Sequence, residues 1–281
     1  MTAKPVNSVQ SLFFSPTGST RRIVEAIAEG TGVPSLVPIS VTTPQDRDSF
    51  SGQIAGDLLI VGVPVYTGRV PSFVLPPLCQ VDGAGRWALP VAVCGNVRMG
   101  TCLAELCAIL KRQDFTIPAA GNFIAQHSFA CEDFRIAEGR PDQDDLRQAA
   151  EFGHRVVGRI AEGAEDITCV YGRFLYIRMY VSGSTEATGF VSMPERHRPT
   201  IRVSEHDPQL CDDCGNCVDV CPTGSIDPES CLLEDETCIR CFACTSVCTS
   251  RAKTKIVQPV KQLATWFTHR STERGEPLLF F

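Results

Sequence analysis

Residues 8–30 read SVQSLFFSPTGSTRRIVEAIAEG. The first seven, 8–14, are a β-favouring apolar run, and from residue 21 apolar side chains recur at Ile23, Ala26 and Ile27 with helical spacing. Between them stands SPTGST, a loop of hydroxyls around one glycine. The stretch therefore predicts strand, loop, helix. Ser15, Thr17, Ser19 and Thr20 surround Gly18, so hydroxyls and the backbone N–H groups of a helix N-terminus can converge on an anion. No lysine closes the loop as in a Walker motif, and no G-x-G-x-x-G is present, so a monophosphate suits it better than a triphosphate or a dinucleotide.

Working outward, residues 35–41 (SLVPISV), the apolar run from 57 (DLLIVGVPVY), residues from 89 (LPVAVCGN) and 119–125 (AAGNFIA) predict four more strands. Helices are expected at 101–112 and 142–162, the second opened by Pro141. Alternating strands and helices imply a parallel β/α architecture, which binds ligands in the loops at the carboxyl ends of its strands. Those loops hold Pro64, Val65, Tyr66, Thr67 and Gly68 after the third strand, Gly95, Asn96, Met99 and Gly100 after the fourth, and His127 and Ser128 after the fifth.

The loop SPTGST, directly after the first strand, resembles the phosphate loop of flavodoxins. The resemblance implies a flavodoxin-like, doubly wound, five-stranded parallel sheet over residues 1–165. It also implies an FMN whose phosphate is held by Ser15, Thr17, Gly18, Ser19 and Thr20. Tyr66 would then lie against the isoalloxazine face, Thr67 and Gly68 would let the backbone approach the ring edge, and Gly95 and Asn96 would face its pyrimidine side. His127 reads more simply as a satisfied loop histidine.

A second pattern lies near the C-terminus. Cys211, Cys214, Cys217 and Cys221 repeat the spacing of Cys238, Cys241, Cys244 and Cys248, each run reading C-x-x-C-x-x-C-x-x-x-C. Soft thiolates select iron–sulfur clusters or zinc. Zinc sites present two cysteines, a long gap and two more, whereas a triplet with a fourth cysteine, duplicated, is the spacing of two-cluster iron–sulfur proteins. Residues from Asp207 to about Lys255 resemble a clostridial-type ferredoxin module with two [4Fe-4S] clusters, and CPTGSI after the first run matches that family's turn and strand. The resemblance implies crossed ligation: Cys211, Cys214 and Cys217 with Cys248 for one cluster, and Cys238, Cys241 and Cys244 with Cys221 for the other. The sequence departs from the family at Thr249, where a proline is common, and at the additional Cys231, which reads as a spectator. Cys79, Cys94, Cys102, Cys107, Cys131 and Cys169 have no ligand spacing and read mostly as small buried hydrophobes.

The 281 residues suggest about two domains. The partition expected is 1–165 for the flavodoxin-like domain, 166–203 for a linker or insertion, 204–256 for the small α+β ferredoxin domain, and 257–281 for a tail, helical at 258–268, that packs back on the protein. Residues 204–256 carry ten acidic against four basic side chains, so the net charge of −6 resides there. An acidic face of this kind steers toward basic partners and argues against nucleic acid. Neither an apolar span of membrane length nor a signal-peptide pattern is seen, so a cytoplasmic location is expected. A homo-oligomer is compatible with the sequence. Together these readings point to an electron-transfer protein that relays electrons between FMN, two [4Fe-4S] clusters and an external redox partner docking on the acidic face. The alternative is a flavin-dependent reductase of a small molecule such as a quinone, a flavin or a corrinoid.

Overall fold

The computed structural model describes residues 5–97, 100–130, 134–167, 204–234, 236–255, 268–269 and 273–281. The chain begins with β1 (Val9–Phe13), α1 (Ser19–Gly30), β2 (Ile39–Ser40), α2 (Pro44–Ser49) and β3 (Leu58–Pro64). It continues through α3 (Leu75–Gln80), β4 (Trp87–Cys94), α4 (Cys102–Arg112), β5 (Ala120–Ile124) and α5 (Gln143–Ala161). These five strands are parallel and run in the order β2-β1-β3-β4-β5. That order is the flavodoxin-like variant of the doubly wound sheet, in which the ligand crevice opens at the strands' carboxyl ends beside β1 and β3.

The apolar runs are continuous because both faces of the sheet are covered. Along β3, Leu58 and Ile60 enter the core shared with Ile23 and Ile27 of α1 and with Phe152 and Val156 of α5. Leu59, Val61 and Val63 point the other way, to Leu78 of α3 and Leu103, Leu106 and Leu110 of α4. On the first face α1 and α5 meet backbone to backbone. A Cβ on Gly30 would fall 1.9 Å from the Ala150 carbonyl oxygen, and one on Gly153 would fall 2.1 Å from that of Ile27.

The sheet has six strands rather than the five expected. The sixth, β8 (Leu278–Phe280), pairs antiparallel with β5 at the edge. Three apolar residues at the chain end carry neither alternation nor a turn signal, so the sequence marks them as packing but not as a strand. The predicted second strand shortens to Ile39–Ser40 plus an isolated bridge between Ser35 and Val9. The segment before β8 is pinned to the α5 N-terminus: Arg274 donates to Asp142 at 2.7 Å and to Asp145 at 3.1 Å, and the buried Arg140 binds both Asp145 and the Gly275 carbonyl. The hydrogen bonds from Arg274 hold the Asp142 carboxyl well below its ordinary range.

The cysteine-rich part contributes β6 (Ser204–His206), α6 (Asn216–Asp219), α7 (Ala243–Val247) and β7 (Lys253–Lys255), with β6 and β7 antiparallel. Its small core consists of Cys217, Cys221, Cys231, Cys244 and one isoleucine, Ile226. The expected linker beyond Ile167, nearly all of the expected helix at 258–268, and Met99, Arg98, Cys131 and Cys169 lie outside the described residues.

Candidate functional site

The loop after β1 folds as its composition demands. Gly18 sits at φ 81°, in the left-handed region that glycine enters at no steric cost, and its N–H donates to Ser15 O at 3.1 Å. Ser15 Oγ accepts from Arg21 N–H at 3.0 Å, while Ser15 N–H donates to Thr42 Oγ1 at 2.9 Å and so ties this loop to the one after β2. Helix α1 has no side-chain cap from Gly18 and no acidic residue in its first turn. The N–H groups of Ser19 and Thr20, at its first two positions, therefore face outward to an acceptor the helix cannot supply. Space above Gly18 is open, with no atom within 4 Å of where its Cβ would stand. Thr17 is exposed and Thr20 buried.

After β3 the chain makes a two-residue turn, with Thr67 at φ 49° and Gly68 at φ 79°. Tyr66 and Arg69 exchange both backbone hydrogen bonds across it, at 3.2 and 2.9 Å. Two successive positive φ angles define the type I′ hairpin turn, and glycine suits its second position. Arg69 grips Glu105 of α4 through two hydrogen bonds, at 2.6 and 3.0 Å, and Val70 N–H adds a third. Burial raises the Glu105 pKa, but the Arg69 guanidinium and Val70 N–H outweigh it and hold the carboxyl low. The Arg69 charge is thus balanced by Glu105. Gly100 packs on this hairpin so closely that a Cβ would fall 2.2 Å from Gly68 O, and Thr101 N–H donates to the same oxygen. Pro64 and Val65 lead into the turn, Val65 N–H donating to Val93 O at 2.8 Å.

The loop after β4 differs from expectation in one respect. Asn96, at φ 59°, spends both ends of its amide on the C-terminal segment: Nδ2 donates to Glu273 O at 2.9 Å and Oδ1 accepts from Gly275 N–H at 3.1 Å. Gly95 is covered by His127, since a Cβ there would lie 2.3 Å from the imidazole. His127 Nδ1 accepts from Phe129 N–H at 3.0 Å, which places the ring proton on Nε2.

In the cysteine-rich part the two runs adopt matching conformations. Asp213 and Gly215 flank Cys214 at φ 53° and 73°, and Arg240 and Phe242 flank Cys241 at φ 59° and 61°. Each run then enters a short helix that carries the third cysteine, Cys217 or Cys244. Cys211, Cys214, Cys217 and Cys248 line one cavity of about 290 Å³, its open mouth included. Cys221 lies with the other run, close enough that its charge acts on both Cys241 and Cys244. Each fourth cysteine is therefore gathered with the opposite run. Backbone donors aim at the sulfurs: Ser225 N–H at Cys221, Arg240 N–H at Cys238 and Lys253 N–H at Cys248, all at 3.3 Å. Burial raises the Cys248 thiol pKa, yet the Ser250 hydroxyl and the N–H groups of Lys253, Ala252 and Arg251 more than offset it, and the net shift is downward. Cys241 receives only the Ala243 N–H, which burial outweighs, and its thiol is pushed up to about 12.

Two further residues belong to this region and were not singled out from the sequence. Lys253 is buried, with its ammonium donating to Cys231 O at 2.5 Å, and its charge reaches a thiol of each run, Cys217 and Cys244. Among the described residues no carboxylate pairs with it. Phe242 packs edge-on against Phe129 of the loop after β5, with ring centroids 5.6 Å apart, and Phe129 in turn packs on His127. The Tyr66 phenol is pushed well above its ordinary range by burial and then by the nearby Cys241 charge. Arg47 reaches from α2 to Pro222 O at 2.8 Å. These contacts seat the second run and Cys221 on the carboxyl edge of the sheet. Sequence periodicity holds no signal for such contacts, which join residues 113 to 175 positions apart.

Residues 203–226 match the family described as a 4Fe-4S binding domain. No curated protein matches the chain. Among solved structures, a flavodoxin from the domain Archaea is 14% identical over 54% of this chain and 98% of its own, with a TM-score of 0.39. A Streptococcus pneumoniae flavodoxin gives 14%, 54%, 99% and 0.39 in the same terms, and the flavodiiron protein of Giardia intestinalis gives 14%, 57%, 37% and 0.39. These TM-scores lie below 0.5, so it is the strand order that identifies the architecture. The chain thus joins a flavodoxin-like α/β sheet to a 4Fe-4S binding domain, a combination that supports a redox role. Among the described residues no helix is long and apolar enough to cross a membrane.

Proposed function

We propose that the chain is an electron carrier that binds FMN at the carboxyl edge of the sheet and two [4Fe-4S] clusters among its eight patterned cysteines, and that it exchanges electrons with an external redox protein. The observation that carries this reading is the seating of Cys241 and Phe242 against Tyr66 and Phe129, at the edge where this fold binds its ligands. On this reading 1–165 is the flavin domain, 204–256 the cluster domain, 166–203 the connection between them, and 257–281 a tail returning to the sheet.

The chain's own groups suit both cofactors. Ser15, Thr17, Gly18, Ser19 and Thr20 would hold the phosphate at the uncapped start of α1. Pro64, Val65, Tyr66, Thr67, Gly68, Gly95 and Gly100 would border the ring, together with the backbone of Asn96. For the clusters, the donor set is thiolate, and N–H groups point at the sulfurs. The buried Lys253 ammonium is costly without an anion, and thiolate-held clusters bring that negative charge. A core of cysteines around one isoleucine is likewise too small to stand without a metal group.

When bound, FMN takes up electrons in pairs and gives them singly, and each cluster exchanges one at a time. Cys221, Cys238, Cys241 and Cys244 face the sheet, whereas Cys211, Cys214, Cys217 and Cys248 lie beside the exposed Asp212, Asp213 and Asp219. The order implied is flavin edge, inner set, outer set, acidic surface. A partner with a basic rim fits that surface, and its association should slow as salt rises.

Anaerobic purification followed by iron, sulfide, zinc and flavin analysis of one sample tests the reading. About eight irons and one FMN per chain are expected; zinc in place of iron, or clusters without flavin, would defeat it. Gly18→Asp puts a charge in the phosphate loop and should abolish FMN binding with the irons retained, so undiminished FMN would remove the phosphate from this loop. Lys253→Met withdraws a buried positive charge that favours the reduced, more negative clusters. Both reduction potentials should become more negative in a spectroelectrochemical titration, and unchanged values would deny Lys253 that role.

A further inference from the structure

The cavity of the outer set is lined by one thiol more than a cluster requires. Besides Cys211, Cys214, Cys217 and Cys248, its wall includes Cys231, which lies outside both runs. Cys231 is 5% exposed and packs in one cluster with Cys217, against which Cys211 also rests. Its backbone is held at φ 55°, an unusual conformation for a residue with a side chain. The conformation is fixed at both ends: Cys231 N–H donates to Asp227 O at 2.9 Å, and Lys253 Nζ donates to Cys231 O. The chain is thus pinned in a shape that presents this sulfur to the cavity.

We propose that Cys231 is a replacement ligand of the outer cluster, able to take the iron that Cys211 or Cys217 would otherwise hold. This rests on the two-cluster reading given above. In the exchange the bond from iron to the departing sulfur breaks and one from iron to Cys231 Sγ forms. The Cys231 thiol proton leaves to solvent through the mouth beside the exposed Cys214, the released thiolate takes up a proton, and no oxidation state changes.

The test compares Cys211→Ala, Cys231→Ala and the double variant, reading iron per chain and the electron paramagnetic resonance of the reduced protein. Each single variant should keep its iron, with Cys211→Ala showing an altered signal from one cluster. The double variant should lose about half of the iron. A loss of half in Cys211→Ala alone, or full retention in the double variant, would overturn the proposal. Absence of iron from the unsubstituted protein is a different result, one that defeats the cluster reading itself.

Discussion

Cys221→Ala is expected to empty the cluster of the run to which Cys221 does not belong. Cys221 closes the first run in sequence, yet its charge falls on Cys241 and Cys244 of the second, and Ser225 N–H and the Thr223 hydroxyl orient its sulfur there. Removing it leaves three thiolates of the regular set around one cube, so about four of about eight irons should be lost. The position of the loss is as informative as its size. Alkylation of the native protein followed by mass spectrometry should label Cys238, Cys241 and Cys244 and spare Cys211, Cys214 and Cys217. Labelling of the first run instead would mean that each run keeps its own cluster. The two halves of the module would then be separable, which the present arrangement does not allow.

Gly30→Val should destabilise the sheet domain by about 3 kcal/mol, the upper part of the usual range for overpacking. A Cβ at this position would stand 1.9 Å from a backbone oxygen of α5, which cannot rotate away as the tip of a side chain could. The helices must separate, and the separation withdraws Ile23, Ile27, Phe152 and Val156 from the core that they share with β3. Chemical denaturation followed by circular dichroism measures the effect. A midpoint unchanged from that of the unsubstituted protein would show that the two helices do not touch through Gly30. Iron content should respond far less, because among the described residues none of the cysteine module belongs to the core on this face of the sheet.

Much of this arrangement is legible in the residues. Buried parallel strands announce themselves as unbroken apolar runs, and β3 and β4 fall within two residues of the expected positions because both faces of each are covered. The stretch from Val9 to Gly30 reads correctly as strand, loop and helix, since Gly18 has no side chain to resist a left-handed turn. What could not be read depends on distant partners. Asn96 looks like a turn residue beside a ligand crevice until the segment at 273–275 takes its amide. Leu278–Phe280 becomes a strand only because the edge of β5 is open to it. Cys231 has no partner at any ligand spacing, and only folding brings it to the wall that Cys211 and Cys217 share.

The position of Phe242 settles a choice that a duplicated module otherwise leaves open. Two halves of near-identical conformation are related by an approximate twofold axis, and such a body can be laid on a neighbouring surface in two nearly equivalent orientations. Gly215 and Phe242 occupy corresponding places in the two halves, both with left-handed backbone. Glycine takes that conformation freely, whereas a bulky aromatic pays a strain on the order of 1–3 kcal/mol. The strain is tolerated where Phe242 meets Phe129, whereas among the described residues nothing lies within 4 Å of where a Cβ on Gly215 would stand. The degeneracy is thereby lifted: one half can face the sheet and the other must face outward, so the module acquires a polarity, an inner and an outer end, that its repeated cysteines alone could not give it.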